Sequence, residues 1–531
     1  MKIVLAEKVS PATLAVFQQE PSWKLVSADK ITNLEAELAD ADALVVRSAV
    51  QVTSALLEHA PNLRVIGRAG VGVDNIDADA ATKRGIVVMN TPGANAVAVA
   101  ELTLGLMITM ARQIPKATAA LHNGKWEKKS LQGTELRGKT LGIVGLGRIG
   151  LEVARRARSF GMELIGYDPF VAPVIARENG VTLVSIDDIF KQSDYLSLHV
   201  GLTPQTEGLI NAHSIAIMKQ GIRIVNCARG ELIVDEALVE GLKSGKVGGA
   251  ALDVFREEPL KNSAYFGLEN VILTPHLGGS TDEAQEAIGI QLAQQVSAYL
   301  KLGVVQNAVN VPSLSREEYV EVAPFVDLAE RLGTFLAHAT PGNLENLAIA
   351  YSGRLATGKT ELIRNAVLAG VLKDSENVNH INAFSLAEER GLRVQEDKKE
   401  FASGGAGSVL KLSLHSADGD ASGSATVLHG NAPRLLSLDG IDIEAPLTGT
   451  LLAIRNHDVP GVIGRIGTVL GEHGINIANF ALGRSVRSQR VPAGQALAVV
   501  QIEANSSKVN DAIIALRKVD AIASVRLIDL P

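Results

Sequence analysis

KTLGIVGLGRIGLEVARRARSFGMELIGYDP runs from Lys139 to Pro169. It opens with a short apolar run, 141–144, that predicts a buried strand. Gly145, Gly147 and Gly150 follow at the G-x-G-x-x-G spacing. A helical pattern covers 149–160, and a second apolar run, 163–167, ends in Asp168. Each part has a physical task. The first glycine makes the turn, the second lets backbone approach a pyrophosphate, and the third lets the helix pack on the strand. The helix N-terminus offers unpaired N–H groups to the anion. Asp168 is placed to accept hydrogen bonds from an adenosine ribose. A carboxylate there repels a 2′-phosphate, and Pro169 and Phe170 follow it rather than a cation, so NAD is expected over NADP.

A chain of 531 residues is too long for one core and implies about three or four domains. A net charge of −7 without a basic cluster argues against nucleic acid or an anionic membrane as the main partner. The single cysteine, Cys227, rules out an internal disulfide framework and an all-cysteine metal site. No His/Asp/Glu grouping has metal-ligand spacing, so no metal is expected. The N-terminal MKIVLAEKVS reads as a first strand rather than a signal peptide, and the most apolar helical stretch, 96–111, contains Glu101 and is short for a bilayer. A cytoplasmic protein is expected.

The first hundred residues predict a small α/β unit with strands at 3–6, 43–46, 64–67 and 86–89. Loops after three of these strands carry candidates for anion binding: Arg47, then Arg68 with Gly70, and Asn95 beyond the third. Further strands are expected at 195–200, 222–226, 247–255 and 271–274. Arg229, Glu258 and His276 stand after the last three, on the sheet edge where a cofactor lies.

That trio suits hydride transfer from a 2-hydroxy acid. A neutral imidazole accepts the hydroxyl proton near working pH. A carboxylate beside it orients the ring, and about 4 kcal/mol of attraction at about 4 Å and an effective dielectric of about 20 raises its pKa. Arginine holds the substrate carboxylate with two parallel hydrogen bonds. Spacing alone leaves Glu257 and Glu258 both open as the histidine's partner. His199 and His122 are read as structural.

The segments GLGRIG (145–150), NCARGELIVDEAL (226–238), ALDVFREEP (251–259) and TPHLGG (274–279) resemble the D-isomer-specific 2-hydroxyacid dehydrogenases. With RAGVGVDNID and NTPGANAVAVAELTLG, the likeness extends to the branch that acts on D-3-phosphoglycerate at the head of L-serine synthesis. The resemblance implies Arg229, Glu258 and His276 as catalytic, with Glu258 fitting the acid before proline. It implies Gly145, Gly147, Arg148, Ile149, Gly150, Asp168, Cys227, Ala228, Arg229, Asp253, His276, Gly278 and Gly279 as contacts of NAD. Substrate contacts fall on Arg47, Arg68, Gly70, Val71, Asn95 and Lys128. Val71 and Lys128 depart from the threonine and arginine that some relatives carry there.

The implied α/β architecture is a Rossmann-type parallel sheet (98–284) inserted into a smaller, flavodoxin-like substrate-binding domain (1–97 and 285–312). Residues 281–302 should return as a helix. Residues 313–446 resemble an α+β intervening domain, in which Arg354, Lys359 and Arg434 could serve an anionic ligand. Its polar, glycine-rich stretches 396–407 and 417–424 read as turns or loops. From 447 to 531 a βαββαβ pattern reads as a ferredoxin-like unit and resembles an ACT domain. There Asn456, Asp458 and Asn476 fall on effector positions for L-serine, and a homotetramer is expected. Two alternatives remain at this point: another 2-hydroxyacid dehydrogenase, such as a glyoxylate or hydroxypyruvate reductase, and a non-enzymatic NAD sensor that binds partners.

Overall fold

Mostly apolar runs of two to six residues, too short for long helices, build the first two sheets. In the computed structural model, β1 (Lys2–Leu5), β2 (Lys24–Val26), β3 (Ala43–Val46), β4 (Val65–Arg68) and β5 (Val87–Met89) form a parallel sheet in the order β2-β1-β3-β4-β5. This is the flavodoxin-like order. Short edge strand β2 and the helices Leu34–Leu38 and Ala78–Lys83 were not legible in the sequence pattern. The structure describes residues 1–531 except 313–315, 359, 376–377, 400–406, 430, 485–493, 504–505 and 531, and except the side chains of 316, 317, 506 and 507.

The second sheet comprises β6 (Thr140–Val144), β7 (Glu163–Tyr167), β8 (Thr182–Leu183), β9 (Tyr195–Leu198), β10 (Ile222–Asn226), β11 (Val247–Leu252) and β12 (Val271–Leu273). Its order is β12-β11-β10-β9-β6-β7-β8, all parallel. The order reverses between β6 and β9, and ligands of such sheets bind at that crevice. Both faces are covered, so the strands are predominantly apolar. The helix Asp282–Leu302 is capped by the Thr281 side chain and leaves this unit to pack on the first sheet. There Ile288, Leu292, Ala293, Val296 and Leu300 join Ile3, Leu5, Val45, Val65 and Val87 in one core. Leu292 is fully buried, and truncating it to alanine should cost about 2–5 kcal/mol.

β13 (Leu344–Gly353), β14 (Arg393–Lys399), β15 (Ser408–Ser416), β16 (Gly419–Leu428), β17 (Ala432–Leu438) and β18 (Ile441–Pro446) form the third sheet, in the order β14-β13-β15-β16-β17-β18. Helices Arg316–Ala339 and Thr360–Val371 share its core. Here the sequence reading needs correction. Residues 396–399 and 419–424, expected as turns, belong to β14 and β16. The inward positions of β16 are small because a helix lies across them: a Cβ on Gly423 would come 3.3 Å from Leu336. Arg354 is exposed on a short helix and Arg434 is half-buried in β17, three strands from β13, so the two do not converge. Lys359 lies outside the described residues.

β19 (Gly449–His457), β20 (Asn476–Arg484), β21 (Gln495–Glu503) and β22 (Ile522–Leu530) complete the chain as an antiparallel sheet, β20-β21-β19-β22. Alternation along these strands splits their side chains between two cores. Leu452, Ile454, Ala498 and Val500 meet the helices Val462–Glu472 and Ser506–Leu516. Leu451, Ala453, Leu497 and Val499 join the core of the third sheet. Among the described residues, no single helix is long and apolar enough to cross a membrane.

Candidate active site

The glycine turn shows why two of its three glycine positions exclude a side chain while the third stands open. Gly145 has φ +95°, and a Cβ on it would come 2.5 Å from His199 O, at the end of the neighbouring strand. A Cβ on Gly150 would fall 2.0 Å from Gly145 O, so the helix Arg148–Ser159 sits against the turn itself. A Cβ on Gly147 would enter open space. That opening at a helix N-terminus is a cradle of the kind a pyrophosphate fills, and the residues present therefore fit a dinucleotide. Asp168 accepts from Leu146 N (2.8 Å), Phe170 N (2.8 Å) and Val171 N (3.1 Å), which ties the turn to the end of β7. A carboxylate offers about four acceptor sites, so one is left for a ribose hydroxyl. Arg148 turns away from the cradle and donates to Pro92 O, while Ile149 packs into the core.

His276 and Glu258 meet at the carboxyl ends of β11 and β12. His276 Nδ1 lies 2.7 Å from Glu258 Oε2, and Phe255 N donates to Glu258 Oε1 at 3.0 Å. The Glu258 hydrogen bond raises the imidazole pKa above its ordinary value, against the effect of burial. Burial pushes the Glu258 carboxyl up, but the bonds from His276 and Phe255 N, with the positive charge of His276 and Arg229, outweigh it and hold it below the usual range. With its proton on Nδ1, the neutral ring leaves Nε2 as acceptor. His276 has φ +54°, a costly conformation for a residue with a Cβ. Buried Asp253 holds it: His276 N donates to Asp253 O, and the Asp253 carboxylate accepts from Thr274 Oγ1 (2.6 Å), Leu277 N (2.7 Å) and Gly278 N (2.8 Å). Gly279 lies against Asn95.

Arg229 comes from the loop after β10. Fully buried Asn226 shapes that loop by donating to Arg229 O (2.7 Å) and accepting from Ala228 N (3.0 Å). Burial pushes the Cys227 thiol up to about 12, so it is no nucleophile. Across the cleft, the loops after β3, β4 and β5 brace one another. Glu7 accepts from Arg47 N, Ala49 N and Val50 N; Asn75 donates to Arg47 O and Val50 O; Asn90 donates to Val71 O; Thr91 donates to Gly70 O. Arg68 folds over Gly70, where a Cβ would lie 1.5 Å from its Nη1. Burial and the nearby Arg229 both lower the Arg68 pKa. Arg68 Nε and Asn95 Oδ1 are buried without a hydrogen-bond partner among the described residues, as groups awaiting a polar ligand are.

Lys128 is exposed, and the segment that follows it is held at Gln132 and Thr134 by Gln113 Nε2 and Ala111 O, by the far end of the helix Ala96–Ala111 and about 24 Å from Asn95 at the other end. His199 is half-buried, its Nε2 2.8 Å from Ser197 Oγ, and burial pushes it down to about 4, so it stays neutral.

Residues 104–278 match the D-isomer specific 2-hydroxyacid dehydrogenase NAD binding domain, 321–439 the D-3-phosphoglycerate dehydrogenase intervening domain, and 450–509 the ACT domain. D-3-phosphoglycerate dehydrogenase of Methanocaldococcus jannaschii is 41% identical over 506 residues, 95% of either chain. That of Bacillus subtilis is 36% identical and covers 100% of each. The chain belongs to the D-3-phosphoglycerate dehydrogenase family. Solved structures of other enzymes match its first part. D-lactate dehydrogenase from Aquifex aeolicus, complexed with NAD and lactic acid, is 29% identical over 59% of this chain and 100% of its own, with TM-score 0.52. A glyoxylate reductase from Paecilomyes thermophila is 32% identical over 58% and 98%, with TM-score 0.53.

As a member of the D-3-phosphoglycerate dehydrogenase family, the chain is an NAD-dependent oxidoreductase. The residues that pattern reading missed are the ones that hold others: Glu7, Asp74, Asn75 and Asn226. A polar side chain closing an apolar strand, as Asn226 does, is a usable signal for such a role. The three effector positions do not converge within one chain. Asn456 pairs with Ala496 and Asn476 with Glu503, seven residues apart along β21, about 23 Å. Asn456 Oδ1 is buried without a partner among the described residues, Asp458 lies 3.5 Å from Arg484, and Asn476 donates to Glu503 (2.8 Å).

Proposed function

We propose that this protein oxidises D-3-phosphoglycerate to 3-phosphohydroxypyruvate, the entry into L-serine synthesis. The observation that carries the reading is the 2.7 Å contact between His276 Nδ1 and Glu258 Oε2, close enough to Arg229 for its charge to act on both, on the sheet whose β6 leads into the glycine cradle. Bound NAD⁺ supplies the hydride acceptor. Gly145, Gly147, Gly150 and Asp168 hold it, with Arg148, Ile149, Cys227, Ala228, Gly278 and Gly279 around it. His276 Nε2 takes the proton of the C2 hydroxyl, and Glu258 stabilises the imidazolium that results. Arg229 receives the substrate carboxylate. Arg47 and Arg68, with the backbone of Gly70 and Val71 and the Asn95 amide, receive the rest of the anion.

The domain limits are 1–97 with 285–312 for substrate, 98–284 for NAD, 313–446 for the intervening unit and 447–531 for the ACT unit. The split effector positions support a site shared by two copies of the chain; on this reading the enzyme is a homo-oligomer that senses L-serine, a tetramer by its ACT units, and works in the cytoplasm. NADH formation from 3-phosphoglycerate, D-lactate and D-glycerate tests the assignment. Turnover with 3-phosphoglycerate is expected to exceed both others. Preference for an unphosphorylated acid would make it another 2-hydroxyacid dehydrogenase, and no NADH with any of them a sensor.

A further inference from the structure

Asp74 reaches across the cleft to the arginine assigned to the substrate carboxylate. Its Oδ2 lies 3.2 Å from Arg229 Nη2. The two residues belong to different lobes, Asp74 following β4 and Arg229 following β10. Gly72 makes room for the contact: a Cβ there would fall 1.9 Å from Arg229 Nη2 and 2.7 Å from Asp74 Oδ2. The loop is fixed from behind, because Asn75 Nδ2 donates to Arg47 O at 3.0 Å and Val50 O at 2.7 Å. Gly72 and Asp74 thus form a seat and a stop for a guanidinium that arrives from the other lobe.

Folding does not account for this pair. The Asp74 side chain is 65% exposed, and an exposed ion pair adds little stability. Placement does account for it. Among the described residues the Arg229 guanidinium has one further hydrogen bond, from Nη1 to Ala228 O at 2.6 Å, on the preceding residue's backbone. Arg68 lies close enough to repel it. Without the Asp74 carboxylate, two guanidiniums would share the cleft with less compensation, and the long Arg229 side chain would move away.

We propose that Asp74 is a positioning residue: it holds the Arg229 guanidinium over Gly72 so that the substrate carboxylate meets donors already in place. The proposal rests on the reading of Arg229 given above. Removing an anion beside an anionic substrate favours binding, which offsets the loss of a placed guanidinium in the ground state. Alignment for hydride transfer has no such compensation.

The experiment measures kcat and KM for 3-phosphoglycerate in Asp74→Asn, Asp74→Glu, Arg229→Ala and the Asp74→Asn/Arg229→Ala double variant, with NADH binding as the check on folding. A misplacement of order 1 Å can cost about 10²-fold, and Asp74→Asn should lose about tenfold in kcat with KM within about threefold. Asp74→Glu should regain part of that loss. In the Arg229→Ala background, Asp74→Asn should change kcat by less than about twofold, because the residue through which it acts is gone. The same tenfold loss in both backgrounds, or a change in KM alone, overturns the proposal. Wild-type turnover in Arg229→Ala would remove the reading of Arg229 itself, and the proposal with it.

Discussion

A histidine 2.7 Å from a carboxylate titrates high, and its direction here is upward from 6.5 despite burial. As a base it must be neutral, so oxidation should fail as pH drops through this raised value. The kcat/KM profile for 3-phosphoglycerate oxidation should therefore have its acidic limb above pH 6.5. In Glu258→Gln the raising contact is lost and burial remains, so the limb should move to lower pH while kcat falls by about 10²-fold or more. An unmoved limb would assign it to another group. The same shifts bear on stability, with signs that agree. The raised His276 contributes below its unfolded pKa and loses that as pH rises through the folded one. The depressed Glu258 contributes above its unfolded value and loses that as pH falls. The pair therefore favours folding most between about pH 4.5 and 6.5, weakly, since both groups are partly exposed. The histidine was visible in the sequence because it follows an apolar strand. Its left-handed backbone was not, nor was the role of Asp253, which the resemblance gave to NAD and whose carboxylate instead holds the His276 loop, because nothing in residue spacing records which N–H a buried acid will accept.

At the level of the strand–turn–helix element, Gly147 and Gly150 make opposite demands. A methyl group on Gly150 would collide with Gly145 O at 2.0 Å. Gly150→Ala should lift the helix and cost about 1–3 kcal/mol of stability, read as a fall in the denaturant midpoint. A methyl group on Gly147 enters open space, and the residue's φ of −69° suits any side chain. Gly147→Ala should unfold like the wild type yet bind NADH at least about tenfold more weakly, because the methyl group occupies the cradle. Equal NADH affinity in both proteins would place the cofactor elsewhere. This element was readable in full since each glycine answers a local constraint. Strand-like runs at 391–395 and 422–428 mark β14 and β16, but their extensions over 396–399 and 419–421 were not legible, since those polar and small residues suit loops locally and are drawn into strands by the sheet and the helices that cover it.

For the whole molecule, the proposed chemistry draws on two lobes and the proposed regulation on two copies. Asn456 and Asn476 stand at opposite ends of β21, so an effector site built from both needs a second chain. Asn456→Ala and Asn476→Ala should each abolish inhibition by L-serine without loss of turnover. Oligomers assembled from a mixture of the two should recover part of it, since one site in each mixed pair keeps both asparagines. No recovery in mixed oligomers would argue for a site within one chain. The fold types of the first two sheets followed from the resemblance and that of the last from its βαββαβ pattern, whereas the contact of Asp74 with Arg229 depends on how the lobes meet. The central claim, that proton removal falls to His276 in a cleft that binds cofactor independently of it, is tested most directly by His276→Ala. Measured together by NADH titration and steady-state oxidation of 3-phosphoglycerate, the variant should keep NADH affinity within about threefold while kcat falls by about 10²–10⁴-fold. Turnover equal to the wild type would contradict the account.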